Sequence, residues 1–246
     1  MKKLILCTSI TGVFIFNTHA QTITWQTPQL ITGASDVSTI GLYFGSWAPG
    51  DGSAINGAFP VNGVTFQGNS DLSDLTSSFS GGGAGAQNAY GSPGTLNANY
   101  NTLLASGQYA NGSGSSTFSW GGMTPGNTYE IQFWVEDTRG ITGARWENLS
   151  GGDIGDTSYG TDTSAAVGFS SPLFSGDASP GYDIIGTFVA DSTGSEEILL
   201  TPFGSNPDTQ INLFQVRDIT AVPEPSPLAL LSCGVAILFY GFRRRA

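Results

Sequence analysis

The sequence predicts an all-β protein: a single β-sandwich of jelly-roll-like build, flanked by an N-terminal signal peptide and a C-terminal membrane-spanning tail. Three observations carry that expectation. Glycine makes up 35 of 246 residues, and turn-forming pairs recur: Pro49-Gly50, Asp51-Gly52, Asn56-Gly57, Asn62-Gly63, Asn111-Gly112, Pro125-Gly126 and Pro180-Gly181. Short runs rich in β-branched and aromatic residues lie between those turns, with almost no helical period. Both ends break the pattern in the way targeting segments do.

Residues 1–20 read as a secretory signal peptide. Lys2 and Lys3 form a positive n-region, Leu4 to Phe16 an apolar stretch, and Thr18-His19-Ala20 a small-x-Ala cleavage site, so the mature chain starts at Gln21. Cys7 comes too early, and without small residues before it, for a lipoprotein attachment site.

The β domain spans 21–221. Its candidate strands are Thr22–Trp25, Val37–Phe44, Val61–Phe66, Ser116–Trp120, Thr128–Val135, Ala144–Leu149, Tyr182–Val189, Glu196–Thr201 and Gln210–Ile219. Thr128–Val135 alternates most clearly: Tyr129, Ile131, Phe133 and Val135 face one way, Glu130, Gln132 and Trp134 the other. Tyr100–Ala105 carries the one helical hint, and Ser80–Asn97 reads as a long surface loop. A split into two domains near Gly81–Gly94 is the alternative, but Thr22–Phe66 supplies too few strands to close a core alone.

Composition excludes several function classes. Of the 19 acidic residues 18 lie in 21–222, against Arg139, Arg145 and Arg217 alone, a net charge of −15. Nucleic acid and anionic lipid are poor partners for such a field, since phosphate binding needs clustered Lys and Arg. His19, Cys7, Cys233 and both lysines lie outside 21–221. The exported part therefore has no disulfide, no Ser-His-Asp, Cys-His or Ser-Lys site, and no His/Cys zinc site. A carboxylate pair of the glycosidase kind is the catalytic possibility left.

The tail, 222–246, has three parts. Pro223 and Pro225 fix φ and remove two donors, so Val222–Pro227 is extended and displays Glu224. Leu228 to Phe242 is an uncharged apolar run, about 22 Å long as a helix against a hydrocarbon core of about 30 Å. Arg243, Arg244 and Arg245 stop transfer and hold the C-terminus in the cytoplasm. An ordinary single-pass anchor is the plainer reading; the short span and the Pro-Glu-Pro collar speak against it.

Pro223-Glu224-Pro225, the short span and the terminal arginines together resemble the PEP-CTERM sorting signal of Gram-negative bacteria. The resemblance covers about a tenth of the chain. It implies recognition by an exosortase-type membrane protease or transpeptidase, transient anchoring in the inner membrane, and delivery to the cell surface or outside. Cys233 within the span is not part of that pattern and reads as a small buried hydrophobe. A second resemblance is carried by Gly121–Asp137, Gly186–Asp191 and Ile211–Arg217, which look like jelly-roll modules of carbohydrate-binding type. It implies a strand pattern and no particular ligand.

Three groups of residues in the β domain are candidates for function. Sugar rings stack on exposed aromatics, so Trp134, on the polar face of its strand, and then Trp146 are candidate carbohydrate platforms; core packing is the competing reading, evenly matched for Trp134 and favoured for Trp146. Asp153, Asp156 and Asp162 on a Gly-rich loop could offer oxygens to Ca²⁺, although a solvated acidic loop is favoured. Glu136-Asp137 and Glu147 lie near both tryptophans and would serve a glycan hydrolase; a turn ion pair with Arg139 is the plainer reading. Gly81–Gly85 lacks a following Lys-Ser/Thr and reads as a linker. The functional expectation is a non-enzymatic binding or structural component of extracellular polysaccharide, with a carboxylate-dependent glycan hydrolase as the alternative.

Overall fold

The computed structural model describes residues 22–49, 55–79, 85–87, 90, 97–112, 114–137, 144–152, 166–170, 181–203 and 207–220. Residues 1–20, expected to be a signal peptide, the stretch with Asp153, Asp156 and Asp162, and residues 222–246 with Pro223, Glu224, Pro225 and Arg243–Arg245 lie outside them. Among the described residues no helix is long and apolar enough to cross a membrane.

The described chain is all-β. In chain order its strands are β1 (Thr24–Trp25), β2 (Gln29–Leu30), β3 (Leu42–Ala48), β4 (Ala58–Val61), β5 (Val64–Gln67), β6 (Asn69–Ser70), β7 (Ser73–Phe79), β8 (Gly85–Gln87) and β9 (Gly107–Ala110). They continue as β10 (Ser116–Gly121), β11 (Thr128–Val135), β12 (Ala144–Gly152), β13 (Ala166–Ser170), β14 (Tyr182–Val189), β15 (Glu196–Phe203), β16 (Thr209–Ile211) and β17 (Leu213–Asp218). One helix, α1 (Ala98–Leu104), precedes β9, and a 3-10 turn covers Ala34–Asp36.

Two sheets dominate. A seven-stranded sheet runs β1-β14-β11-β17-β3-β6, with β2 also on β14; a five-stranded sheet runs β13-β12-β15-β10-β7. The pairings are antiparallel and nested: β3 with β17 in the first sheet, β10 with β15 in the second, β11 with β14 in the first. A three-stranded sheet β16-β9-β8 and the hairpin β4-β5 complete the set.

The main core lies between the two large sheets. Tyr129, Ile131, Phe133 and Val135 of β11 enter it, as alternation predicts, and meet Phe118, Trp120, Leu149, Ile198 and Leu200 from the five-stranded sheet. Phe118 sits in the middle, with ring centroids 4.7 Å from Phe214, 5.9 Å from Phe133 and 5.9 Å from Trp47.

The seven-stranded sheet is also covered on its other face. Trp134 and Leu213 point there and join Ile31, Val37, Ala48, Ile55, Val61, Val64, Phe66, Tyr100, Leu103 and Leu104. This corrects the expectation of Trp134 as a solvent-facing platform, since its side chain is 0% exposed and its ring lies 6.4 Å from Phe66. The strand's alternation was legible; what lies over its polar-looking face was not.

The cover has three pieces, each with a local cause. Asn62 (φ 49) and Gly63 (φ 77) form the two-residue turn joining β4 to β5, the positive-φ pair that suits a tight hairpin; Val61–Phe66 is thus a hairpin rather than one strand. Asn97 caps α1 by accepting from the N–H groups of Asn99 and Tyr100, and the helix buries Tyr100, Leu103 and Leu104 on one face. The third piece is the strap Ile31–Gly41, where a strand was expected from Val37; β3 begins only at Leu42. Gly41 turns the strap into β3 with φ +69, and a Cβ there would strike the Asp218 carbonyl.

Candidate functional site

Trp146 on β12 is half-buried, and its ring centroid lies 5.5 Å from that of Tyr182 on β14, with planes at 43°. In register it stands opposite Phe203 of β15, so the two side chains leave the same face of the sheet. Phe203 is 40% exposed. Tyr182 in turn stands opposite Leu30 of β2, which is 42% exposed. Leu30, Tyr182, Trp146 and Phe203 thus form an apolar run that passes from one large sheet to the other, where β14 begins and β15 ends. Tyr182 packs from behind against the main core, which fixes its ring. An aromatic braced on one side and open on the other can stack on a flat apolar ligand face at low entropic cost.

Of the two tryptophans expected as platforms, the structure therefore leaves Trp146 accessible and encloses Trp134. Tyr182 and Phe203 were not singled out from the sequence. For Phe203 a signal existed: along β15, burial alternates from Glu196, and Phe203 falls in phase with the outward Glu197, Leu199 and Thr201.

The carboxylates near this end are inward. Glu136, Asp137 and Glu147 are 0%, 5% and 2% exposed. Glu147 Oε2 accepts the Gln210 N–H at 3.0 Å, and Gln210 Nε2 donates to the Glu136 carbonyl at 2.7 Å. Asn212 extends this hub: its Oδ1 accepts from the Glu136 N–H at 2.9 Å, and its Nδ2 donates to the carbonyls of Leu104 and Ser106. The hub ties β11, β12 and β16 to the end of α1. Of these three carboxylates Glu147 holds a main-chain N–H, while Glu136 enters the hub through its own N–H and carbonyl.

A second polar network fixes the strap to the outer face of the seven-stranded sheet. Gln132 Nε2 donates to the Asp36 carbonyl at 2.7 Å, while its Oε1 accepts from the Ser38 N–H at 2.9 Å and from Gln215 Nε2 at 3.0 Å. Arg217 donates to the carbonyls of Ile40, Thr39 and Gly41. Asp183 is buried beside Trp134, its cross-strand neighbour. Burial pushes its carboxyl up to about 7; Gln132 opposes that shift and nearby Asp36 adds to it. Burial, with Asp183 and Asp36, likewise holds the Tyr100 phenol well above its ordinary range. Burial also raises Glu130 and lowers Arg217, its cross-strand partner, and each charge offsets part of the other's shift.

Among the described residues no group of three or more His, Cys, Asp or Glu side chains is arranged to hold a metal ion. Compared with known proteins, the chain matches no family model, and no curated protein matches it in sequence.

Proposed function

We propose that this protein is an exported surface or extracellular-matrix component, delivered through its Val222–Ala246 tail by an exosortase-type enzyme, whose β domain binds extracellular polysaccharide without transforming it. The apolar run Leu30–Tyr182–Trp146–Phe203 carries the binding half. It offers several partly exposed apolar surfaces in a row, with Tyr182 packed against the core, as a sugar chain with repeated C–H faces requires. The inward-turned Glu136, Asp137 and Glu147 weigh against the hydrolase alternative. The nested ladders β3·β17, β10·β15 and β11·β14, alternating between sheets, support reading residues 21–221 as one jelly-roll-like sandwich. The delivery half rests on Pro223-Glu224-Pro225, the apolar run and Arg243–Arg245.

Each half has its own test. Trp146→Ala should weaken binding of a glycan array hit by residues 21–221 by about 1–2 kcal/mol, roughly tenfold, from lost stacking and apolar burial. Its melting curve should move little. Unchanged glycan affinity in the variant removes the platform. Replacing Pro223, Glu224 and Pro225 by Ala should leave uncleaved protein in the inner membrane; release at the wild-type level removes the sorting reading.

A further inference from the structure

The point where the tail leaves the domain gathers most of the large apolar side chains exposed among the described residues. β17 ends at Asp218, and the following residues are pinned: the Ile219 N–H donates to the Thr128 carbonyl at 2.9 Å, and Thr220 Oγ1 accepts from the Thr128 N–H at 2.8 Å. Four connections meet at this end of the seven-stranded sheet: Ser38–Leu42, Thr124–Thr128, Val189–Ser195 and Asp218–Thr220. They are bonded to one another through Gly126 N–H to the Ala190 carbonyl, Asn127 to Asp218, and Arg217 to the strap carbonyls.

Three of the five large hydrophobic side chains exposed among the described residues lie here: Ile40 at 62%, Leu42 at 68% and Val189 at 47%. Val189 on β14 and Leu42 on β3 are three strand spacings apart, about 14 Å, so the apolar groups span the end of the sheet. The remaining residues of these connections are Thr, Ser, Gly, Pro, Asn127, Ala190, Ile219, Asp191 and Asp218, and exposed Asp74 lies beside Ser195. Asp191 folds its carboxylate onto the N–H groups of Thr193 and Gly194, and Asp218 accepts from Asn127 and from the Thr220 N–H. A single exposed Leu would mean nothing. Three together at the point where the tail leaves the domain do.

From Thr220 eight residues lead to Leu228, where the apolar run begins, and their reach is at most about 28 Å. We infer that this end of the domain docks on the lipid bilayer while the tail spans it, with Ile40, Leu42 and Val189 entering the boundary between headgroups and acyl chains. The inference rests on the reading of Leu228–Phe242 as membrane-spanning. The attraction would have to be apolar, because the domain carries a net charge of −15 over residues 21–222 and gains nothing from anionic headgroups. Docking there would orient the domain, hold Val222–Pro227 at the membrane surface, and point the Trp146 aromatic run away from the bilayer.

The test uses the full-length chain in vesicles of phosphatidylethanolamine and phosphatidylglycerol, with and without brominated acyl chains. In a Cys7→Ser, Cys233→Ser background, an environment-sensitive fluorophore is placed at Ile40→Cys, Leu42→Cys or, at the opposite end, Phe203→Cys. The inference expects the probes at 40 and 42 to shift to the blue on reconstitution and to lose intensity to the brominated chains, while the probe at 203 does neither. If the protein floats with the vesicles but the probes at 40 and 42 stay in water, the docking is overturned and the tail reading stands. A blue shift without loss of intensity to bromine overturns it in favour of a second copy or the protein's own apolar segment as cover. Equal response at 203 overturns the orientation. Failure to float overturns the tail reading itself, and the docking with it.

Discussion

On β11, Tyr129, Ile131, Phe133 and Val135 meet a second sheet, whereas Glu130, Gln132 and Trp134 meet a strap, a hairpin and a helix. Sheet on sheet needs apolar complementarity alone, because each sheet satisfies its own main chain. A strap has no ladder of its own, so its N–H and C=O groups must be met by side chains; Gln132, Gln215 and Arg217 do this on one face of one sheet. The two faces thus bury the same strands by different chemistry. The first is held by apolar packing, the second by directional hydrogen bonds and charge.

The largest effects should come from the apolar centre of each face. Phe118→Ala empties the main core and Trp134→Ala the outer one, and each should cost about 3–5 kcal/mol in urea unfolding. A Trp134→Ala cost below about 1 kcal/mol would show that the outer cover is not held down, and would erase the comparison.

Next comes pH. In the folded state Asp183 keeps its proton up to about 7, against 3.8 for an ordinary carboxyl, so its contribution is fully present below about pH 4 and is lost as pH rises toward 7. The loss is on the order of 4 kcal/mol. Asp183→Asn should flatten the stability profile across that window and be the more stable form at pH 8. Parallel profiles for the variant and the wild type would show that Asp183 does not titrate in the folded state.

The smallest effect sharpens the contrast. Gln132→Ala removes the amide that reads Asp36 and Ser38, and should cost about 1–3 kcal/mol. Proteolytic cutting within Ile31–Gly41 should rise well before global unfolding. Cutting that tracks global unfolding would mean that strap and sheet open as one unit.

The inner face was legible from sequence because one strand with one apolar side leaves a period-two trace, as Tyr129–Val135 does. The outer face was not, because its cover comes from residues far away in the chain: Gln132 meets Ser38 across 94 positions and Gln215 meets it across 177. A glutamine that satisfies a strap and one that meets water look alike in a sequence. Trp134 shows the same limit: its phase was read correctly and its exposure was not. Ser73–Phe79 left too little signal, since a serine-rich strand paired only with β10 buries little but Phe79. For the candidate site, Trp146 was legible as a residue type, whereas Tyr182 and Phe203 became its neighbours only through the ladders.

The position of β17 carries a further consequence, for how the domain comes to be folded at all. It is the last strand in the described chain, yet it lies in the interior of its sheet, between β11 and β3. Until residues 213–218 are in place, the half-sheet β1-β14-β11 and the pair β3-β6 have no common edge, and Phe214 and Val216 are missing from the core. For a chain threaded across a membrane from its N-terminal end, everything up to β16 would emerge while the sheet is still in two pieces. Closure then becomes a late, long-range event, slow by the entropy of joining residues so far apart. If the chain is exported as proposed, the seven-stranded sheet would close only once residues 213–218 have emerged.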